Sequence, residues 1–269
     1  MKVYAGIDIG STSIKIVLID ESENIVAHST NPTGASFHKN SMDAFQSLLE
    51  RENIQKADIL YLASTGYGRK LLKEADETIS EITANAVGAK KSAEKIGTVK
   101  TVINIGGQDL KGISLDEEGN CGNFVMNDKC AAGTGRFLEM TARTLETSVD
   151  KLGELHFNLK GVPASINSTC TVFAESEIIS LLANGHSHEG IVVGVHYSIA
   201  KRIARLIKRI GVEDIIFFDG GPAMNKGLVE AVENELMREL YIPDVPQITT
   251  AFGAALIARS VYHEEEVHA

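Results

Sequence analysis

A segment near the start of the chain recurs 96 residues later, and this repeat constrains the fold more than any other feature. The first copy begins at Ile7 and the second at Ile103. Each copy reads as a strand, a tight glycine turn, a second strand, a polar turn and a third strand. The identical pairs are Ile7/Ile103, Ile9/Ile105, Gly10/Gly106, Lys15/Lys111, Asp20/Asp116, Glu21/Glu117 and Asn24/Asn120. The repeat predicts two duplicated lobes, each built on linked β-hairpins.

Each copy of the repeat is followed, later in the chain, by a strand that ends in a glycine turn. Residues 59–63 lead into Ser64-Thr65-Gly66, and residues 215–218 lead into Asp219-Gly220-Gly221. A strand, a glycine turn and a following helix form a common unit of α/β sheets, and we expect a helix after each turn. The sequence therefore predicts an α/β fold made of two duplicated lobes.

The boundary between the predicted lobes falls just before the second copy of the repeat. We predict a first lobe of residues 1–97 plus 243–269 and a second lobe of residues 98–242. A helix over residues 252–262 is expected to return to the first lobe, because a paired-lobe fold needs a closing crossover. The charged residues that follow this helix, 263–266, are expected to fray.

Composition and charge argue against several classes of function. The chain of 269 residues is 43% hydrophobic and 23% charged, and its formal net charge of −10 disfavours general nucleic-acid binding. Three cysteines in 29.0 kDa do not indicate a secreted protein held by disulfides. No apolar run reaches the length of a membrane span. We expect a cytoplasmic protein with neither a membrane nor a nucleic-acid partner.

Three glycine turns follow strands in the order expected of a duplicated nucleotide-binding fold. Glycine lets the backbone approach a phosphate closely, and the N–H groups of a turn form a nest for an anion. The third turn opens a helix, which suits the adenosine part of a nucleotide. The candidate nucleotide-binding residues are Gly10, Ser11, Thr12, Ser13, Lys15, Gly106, Gly107, Gln108, Gly220 and Gly221.

Three side chains beside these turns are candidates for catalysis. Asp8 and Asp109 are predicted to hold Mg²⁺ directly or through water, because Mg²⁺ prefers oxygen ligands. Gln108 is predicted to position an attacking water, as amides do in other enzymes that hydrolyse phosphates. A kinase would instead need an aspartate that deprotonates a substrate hydroxyl. Asp109 is the candidate for that role, although Gln108 beside it suits water better.

Two cysteines, Cys130 and Cys170, lie in matching contexts. After each of them, apolar residues recur at the three- and four-residue spacing of an amphipathic helix. The start of a helix stabilises a thiolate and also an anionic cluster held by thiolates. Two such thiols from one chain and two from a symmetry mate would supply the four ligands of a [4Fe–4S] cluster. The alternative is that each is a small buried hydrophobe. Cys121 lies in a polar turn, and we expect it not to be a ligand.

Six motifs give the chain a resemblance to known families. The phosphate and adenosine motifs of the superfamily of actin, sugar kinases and heat-shock chaperones resemble residues 8–12, 105–109 and 219–221. The activators of 2-hydroxyacyl-CoA dehydratases, which form the BadF/BadG/BcrA/BcrD-type ATPase family, have segments similar to residues 65–69, 127–136 and 168–177. The last two segments contain Cys130 and Cys170 and distinguish this family from ordinary kinases. The resemblance runs nearly from end to end.

The resemblance implies a ribonuclease-H-like, actin-like ATPase fold with a nucleotide cleft between two lobes. It implies a homodimer that binds ATP or ADP with Mg²⁺ and carries one [4Fe–4S] cluster, with Cys130 and Cys170 of each chain as ligands. Gly133 and Gly135, in the first cysteine motif, are expected to join the nucleotide-binding residues. ATP hydrolysis would drive one electron, taken from a ferredoxin or flavodoxin, into an iron–sulfur dehydratase or reductase.

Other functions stay open at this point. Within the family, an ATP-dependent reductase of another low-potential iron–sulfur protein, of double-cubane-cluster or benzoyl-CoA reductase type, would use the same residues. From other classes, the alternatives are a small-molecule kinase of the same fold with incidental cysteines and a nucleotide-dependent assembly protein without turnover. Iron and sulfide in the anaerobically purified protein would exclude the kinase.

Overall fold

The structure is a computed structural model that describes residues 1–127, 133–167 and 170–268. The chain divides into two compact units. The first unit consists of Met1–Lys100, Leu115–Gly122 and Pro243–Ala269, and the second consists of Thr101–Ser114 and Asn123–Ile242. Leu115–Gly122, a segment of the predicted second lobe, thus belongs to the first unit.

The first unit is built on a five-stranded sheet. Its strands are β1 (Val3–Ile9), β2 (Ser13–Ile19), β3 (Ile25–Pro32), β4 (Ile59–Thr65) and β5 (Glu77–Thr78). The strand order is β3-β2-β1-β4-β5, and β1 pairs antiparallel with β2 and parallel with β4. Every residue of β1 is buried, which accounts for its almost continuous apolar sequence.

The second sheet repeats the topology of the first. Its strands are β6 (Thr101–Ile105), β7 (Leu110–Leu115), β8 (Cys121–Met126), β9 (Ile216–Asp219) and β10 (Leu240–Tyr241). The order β8-β7-β6-β9-β10 has the same pattern, with β6 antiparallel to β7 and parallel to β9. Strand β6 therefore corresponds to β1, and β9 corresponds to β4. The predicted duplicated α/β lobes are confirmed.

Helices cover the two sheets. They are α1 (Phe37–Arg51), α2 (Glu81–Ser92), α3 (Gly135–Thr144), α4 (Leu152–Phe157), α5 (Thr171–Ala183), α6 (His188–Ile207), α7 (Lys226–Leu236) and α8 (Thr249–His268). In the first unit, α1 belongs to one apolar cluster, and α2 and α8 belong to another. In the second unit, a single core cluster joins α3 to α7 with the sheet. Among the described residues, no helix is both long and apolar enough to cross a bilayer.

Two local expectations are wrong. The charged residues 263–266 do not fray, because α8 continues to His268 and His263 Nε2 lies 2.8 Å from a Glu21 carboxylate oxygen. The segment after Gly66 forms only a short 3₁₀ turn, Arg69–Leu71, before the chain enters β5. The turn is short because the backbone folds back on β1, where the Gly68 N–H donates to the Ile9 carbonyl (2.9 Å).

Candidate nucleotide site and cysteine segments

The first predicted phosphate turn connects β1 to β2. The Gly10 N–H donates to the Ser13 carbonyl (3.0 Å) and closes the turn. Thr33, which is fully buried, supports it: its hydroxyl donates to the Gly10 carbonyl (2.7 Å) and its N–H to the Thr12 carbonyl (3.1 Å). The side chains of Ser11, Thr12 and Ser13 are partly exposed. Thr33 therefore holds the turn through two hydrogen bonds, and the three hydroxyl-bearing side chains of the turn are accessible to solvent.

Asp8 lies beside this turn, near the end of β1, and is buried. Its Oδ2 atom accepts a hydrogen bond from Lys15 Nζ at 3.2 Å. Its Oδ1 atom lies against Gly66, which has φ +85°, and a Cβ at that position would overlap Oδ1. Glycine is required there both by the backbone conformation and by the approach of the carboxylate. The Lys15 charge and the Gly66 contact fix the carboxylate in one orientation.

The second predicted phosphate turn connects β6 to β7. The Gly106 N–H donates to the Asp109 carbonyl (2.9 Å), and Asp109 Oδ2 accepts a hydrogen bond from Lys111 Nζ (2.7 Å). Lys111 is almost fully buried, and its Nζ also lies 3.4 Å from Asn104 Oδ1. Gln108 is exposed. Asp109 is thus anchored by an ion pair, whereas the Gln108 amide extends into solvent from the same turn.

The start of α3 is hydrogen-bonded directly to this second turn. The Gly135 N–H donates to the Gly106 carbonyl (3.0 Å), and the Arg136 N–H donates to the Gly107 carbonyl (2.9 Å). The Thr134 hydroxyl also donates to the Gly107 carbonyl (2.9 Å). A displacement of the turn must therefore move the beginning of α3 or break these three bonds.

The loop after β9 approaches the same region. Gly220 has φ +89°, and a Cβ there would overlap the Ile105 carbonyl. The 3₁₀ turn Gly221–Met224 then leads into α7. Pro222 Cγ and Gly107 Cα lie 3.8 Å and 3.3 Å from the position that a Gly135 Cβ would take. The second unit therefore brings together Gly106–Gly107, Gly135 and Gly220–Gly221, whereas Gly133, the other predicted residue of this motif, lies against the Arg202 side chain.

Comparison with known proteins assigns the chain to a family. The model of the BadF/BadG/BcrA/BcrD ATPase family matches residues 5–258. The chain belongs to this family. It is 45% identical over 253 residues to the 2-hydroxyisocaproyl-CoA dehydratase activator of Clostridioides difficile, covering 94% of this chain and 93% of that protein. It is 46% identical over 255 residues to the activator of lactoyl-CoA dehydratase of Anaerotignum propionicum, covering 94% and 96%.

Solved structures and a more distant relative extend the comparison. The activator of the 2-hydroxyisocaproyl-CoA dehydratase from Clostridium difficile with bound ADPNP superimposes with a TM-score of 0.92 at 42% identity, over 99% of this chain and 98% of that one. A ROK family glucokinase from Streptomyces griseus shares the fold alone, with a TM-score of 0.60 at 13% identity over 96% and 99%. One of the subunits of benzoyl-CoA reductase from Thauera aromatica is 31% identical over 267 residues, covering 95% and 93%. The predicted ATPase family and the predicted actin-like fold are confirmed.

In this ATPase, Cys170 is the residue immediately before α5. It has the extended backbone of a helix N-cap, with φ −100° and ψ 137°, and its side chain is partly exposed. The other predicted ligand, Cys130, lies outside the described residues. The helix predicted after it is α3, which begins at Gly135. Within the described parts of the chain, no three His, Cys, Asp or Glu side chains gather to hold a metal ion.

Cys121, which we expected not to be a ligand, begins β8. Burial raises the pKa of the Cys121 thiol, and the charge of Asp116 acts in the same direction. Metals bind the thiolate, so this environment disfavours the ionised form that a ligand needs.

A buried pair of histidines lies beside the start of α7. Asn225 Oδ1 accepts from the Leu228 N–H (3.1 Å), so Asn225 Nδ2 donates to His196 Nε2 (3.1 Å). This assigns the His196 proton to Nδ1, which donates to Nδ1 of His156 (2.8 Å). The His156 proton then lies on Nε2, 3.7 Å from a Glu230 carboxylate oxygen. The chain of bonds keeps both rings neutral and ties α4 and α6 to the residue that caps α7.

We expect acid to destabilise the ATPase through this pair. Burial lowers the pKa of His196 to about 3, with His156 acting in the same direction, and burial also lowers the pKa of His156. The unfolded chain binds a proton on His196 near pH 6.5, and the folded chain binds it only near pH 3. The free energy of unfolding should therefore fall by about 1.4 kcal/mol per pH unit through His196 below pH 6.5, or about 2 kcal/mol by pH 5, and the lowered pKa of His156 acts in the same direction.

Urea unfolding at pH 7.5 and pH 5 measures this loss. His196→Gln should reduce the difference between the two pH values. The matched control is His38→Gln, because His38 is exposed and pairs with Glu74 on the surface. An acid-induced loss of stability that is the same in wild type and His196→Gln would contradict the assignment.

Several residues around the candidate site are not among the predicted site residues. Thr33 supports the first turn from 23 residues away, and no local motif marks it. Thr65 is the register partner of Asp8 across β1 and β4. The duplication could have indicated Thr65, because Asn104 and Asp219 are register partners at the corresponding place in the second sheet. The His156–His196 pair and Asn225 depend on the packing of three helices and leave no periodic signal.

Proposed function

We propose that this ATPase activates a 2-hydroxyacyl-CoA dehydratase by delivering one low-potential electron to it, driven by ATP hydrolysis. The observation that carries the proposal is the attachment of α3 to the second phosphate turn, through the bonds from Thr134, Gly135 and Arg136 to the carbonyls of Gly106 and Gly107. A turn that changes position when it binds phosphate would move the helix that follows Cys130. The names of two similar relatives, both dehydratase activators, support the same function.

The glycine turns would bind the nucleotide. The N–H groups around Gly10 and Gly106, the hydroxyls of residues 11–13 and the Lys15 ammonium suit the phosphates, and Gly220–Gly221 suits the adenosine. The buried Asp8 carboxylate, with one oxygen paired to Lys15 and the other oriented over Gly66, suits Mg²⁺ or its bound water. Asp109 is the second magnesium candidate, and exposed Gln108 is the candidate for orienting the attacking water.

Cys130 and Cys170 would hold a [4Fe–4S] cluster, which supplies one-electron transfer at low potential. Cys170 suits this role, because unpaired N–H groups and the dipole at a helix start stabilise a thiolate. Its partly exposed side chain is accessible to a metal. One chain supplies two thiolates, so the four-ligand site would be complete only in a homodimer.

Helix α5 offers a surface for the second copy. Val172, Phe173 and Ile179 are 69%, 69% and 55% exposed, although all three are large apolar side chains. Within α5, the buried residues are Ala174 and Ile178 alone. An exposed apolar patch of this kind marks an interaction site. Because two copies of Cys170 must meet at one cluster, we infer that the patch packs against a second copy of the chain across a two-fold axis.

Phe173→Asp is expected to raise the dimer dissociation constant by about 100-fold, because each interface would bury two new charges in an apolar contact. Anaerobic analytical ultracentrifugation measures it. Val267→Asp is the control, since Val267 is 81% exposed on α8 and should tolerate a charge. A Phe173→Asp protein that stays as dimeric as the control would exclude α5 from the interface.

The partners follow from the proposed chemistry. The electron acceptor would be an iron–sulfur dehydratase, the donor a ferredoxin or flavodoxin, and the compartment the cytoplasm. Similarity to the benzoyl-CoA reductase of Thauera aromatica favours a second candidate, an ATP-dependent component of a reductase of that type. Both functions would use the same nucleotide turns and cysteines.

The test is anaerobic purification followed by iron and sulfide analysis, ATP hydrolysis and electron delivery. The proposal expects about four irons per dimer and ATP-dependent reduction of a 2-hydroxyacyl-CoA dehydratase. Reduction of a benzoyl-CoA reductase instead would select the second candidate. A colourless protein that phosphorylates a small molecule would overturn both in favour of a kinase.

A further inference from the structure

Two buried polar atoms at the end of the first sheet have no hydrogen-bond partner among the residues that the structure describes. They are Asp8 Oδ1 and Thr65 Oγ1. Asp8 is 5% exposed and Thr65 is fully buried. The two residues are register partners on the parallel strands β1 and β4, so their side chains lie on the same face of the sheet, about 5 Å apart. Unpartnered buried polar atoms are rare in folded proteins and call for an explanation.

The second sheet provides an internal control, because the duplication places an equivalent row of side chains there. In the second sheet the row is Lys111, Asn104 and Asp219: Lys111 Nζ lies 3.4 Å from Asn104 Oδ1, and Asn104 Nδ2 donates to Asp219 Oδ1 at 2.7 Å. The neighbouring strands bring these residues together in the same registers that join Lys15, Asp8 and Thr65 in the first sheet.

The two rows differ at one link. In both, the lysine contacts the middle residue, at 3.2 Å in the first sheet and 3.4 Å in the second. In the second row the middle residue also bonds the third one. In the first row that bond is missing: Asp8 has a carboxylate Oδ1 where Asn104 has an amide donor, and neither this oxygen nor Thr65 Oγ1 has a partner within hydrogen-bond distance. The first row therefore ends in two oxygens that can both accept, an arrangement that suits a bound cation or a water with two protons to give.

We propose that Thr65 is a further residue of the magnesium site, where its hydroxyl and Asp8 Oδ1 together bind a water of the Mg²⁺ that accompanies the nucleotide. The inference rests on the proposed nucleotide site and extends it to a residue on β4. Mg²⁺ dehydrates reluctantly and usually keeps several waters, so outer oxygens that accept from those waters orient the ion. Gly66, which follows Thr65, lets Asp8 Oδ1 remain close to the strand end, since any side chain there would displace it.

If Thr65 positions a water of the Mg²⁺, Thr65→Val should change the Mg²⁺ dependence of the protein without lowering its stability. This variant replaces the hydroxyl with a methyl group of nearly the same volume. Because the hydroxyl has no partner among the described residues, its removal should raise the urea midpoint of the nucleotide-free protein or leave it unchanged. The same change should increase the Mg²⁺ concentration that half-saturates ATP turnover by about 10-fold or more, as for other residues that orient a metal through a second layer. Thr65→Ser, which keeps the hydroxyl, should restore the wild-type Mg²⁺ dependence.

Thr101→Val is the matched control. Thr101 is equally buried at the start of β6, but its hydroxyl donates to the Glu213 carbonyl (2.8 Å) and accepts from the Glu213 N–H (2.9 Å). This variant should lower the urea midpoint and leave the Mg²⁺ dependence unchanged. The two variants therefore distinguish a ligand-binding hydroxyl from a structural one: Thr65→Val should change the Mg²⁺ dependence without loss of stability, and Thr101→Val should lower stability without changing the Mg²⁺ dependence.

Calorimetric titration of ADP with and without Mg²⁺ completes the test, and it needs neither cluster nor partner. The expected result is that Thr65→Val loses most of the gain in ADP affinity that Mg²⁺ gives the wild type. Equal gains in wild type and Thr65→Val, or a Thr65→Val protein that is less stable than wild type, would overturn the inference. Wild type that binds no magnesium nucleotide at all would instead overturn the proposed function.

Discussion

Replacing Cys170 with alanine is expected to remove the iron from the purified protein while leaving nucleotide binding intact. Each dimer would lose two of the four proposed thiolates, and two remaining ligands do not hold a [4Fe–4S] cluster. Cys170 is the N-cap of α5, and its side chain makes no capping hydrogen bond, so alanine should not unfold the helix. The iron content should fall from about four per dimer to near zero. Iron and sulfide analysis after anaerobic purification measures the loss, and ADP titration checks the nucleotide site.

The other two cysteines complete this experiment. Cys130→Ala should have the same effect as Cys170→Ala. Cys121→Ala should retain full iron content, because Cys121 is a half-buried residue of β8 whose thiol pKa is raised by burial. Loss of iron in Cys121→Ala, together with retention in either of the other variants, would show that the ligands are wrongly assigned. The dimer should also weaken in both cluster-free variants, since a shared cluster stabilises the dimer that completes it.

The repeat made most of the fold predictable. Identical residues 96 positions apart, such as Gly10 and Gly106, indicate equivalent turns, and the structure places them between β1 and β2 and between β6 and β7. Two glycines with positive φ, Gly66 and Gly220, follow the equivalent strands β4 and β9. Glycine is required at both places because a Cβ would overlap the preceding hairpin. The repeated sequence segments and the positions that require glycine therefore make the topology of the two sheets predictable.

The details of the site were less predictable, because they depend on contacts between distant parts of the chain. The hydroxyl of Thr33 supports the first turn, and Asn225 caps α7 while donating to His196, which is 29 residues away in the sequence. Each contact is made by a common residue type in an ordinary local context. The proposed role of Thr65 likewise rests on the pairing of β1 with β4 and on its comparison with β6 and β9.

Asp8→Asn is expected to lower ATP turnover by about 100-fold and to lower electron delivery in the same proportion. The substitution removes the carboxylate proposed to bind Mg²⁺ or its water, and loss of such a preorganised charge typically costs this much. It also reproduces the second sheet, where Asn104 occupies the equivalent position and bonds both neighbours. An asparagine at position 8 can accept from Lys15 and donate to Thr65, which offsets the loss of the ion pair with Lys15, so the protein should stay folded.

Asp8→Asn tests whether electron delivery is coupled to ATP hydrolysis. If hydrolysis drives the electron, a protein with intact iron, intact dimer and little turnover must also fail to reduce its dehydratase. The measurement compares ATP hydrolysis with reduction of the partner in the same anaerobic sample, and Gln108→Ala should show the same proportional loss. Cys170→Ala is the complementary control, because it should keep basal nucleotide binding and lose electron delivery completely.

Electron delivery at the full rate by Asp8→Asn would separate the two activities and refute the coupled mechanism, even with the cluster present. Proportional loss in Asp8→Asn would mean that the electron moves only when the lobe carrying Asp8 acts on the nucleotide, and linkage would then require the oxidation state of the cluster to alter nucleotide affinity in return.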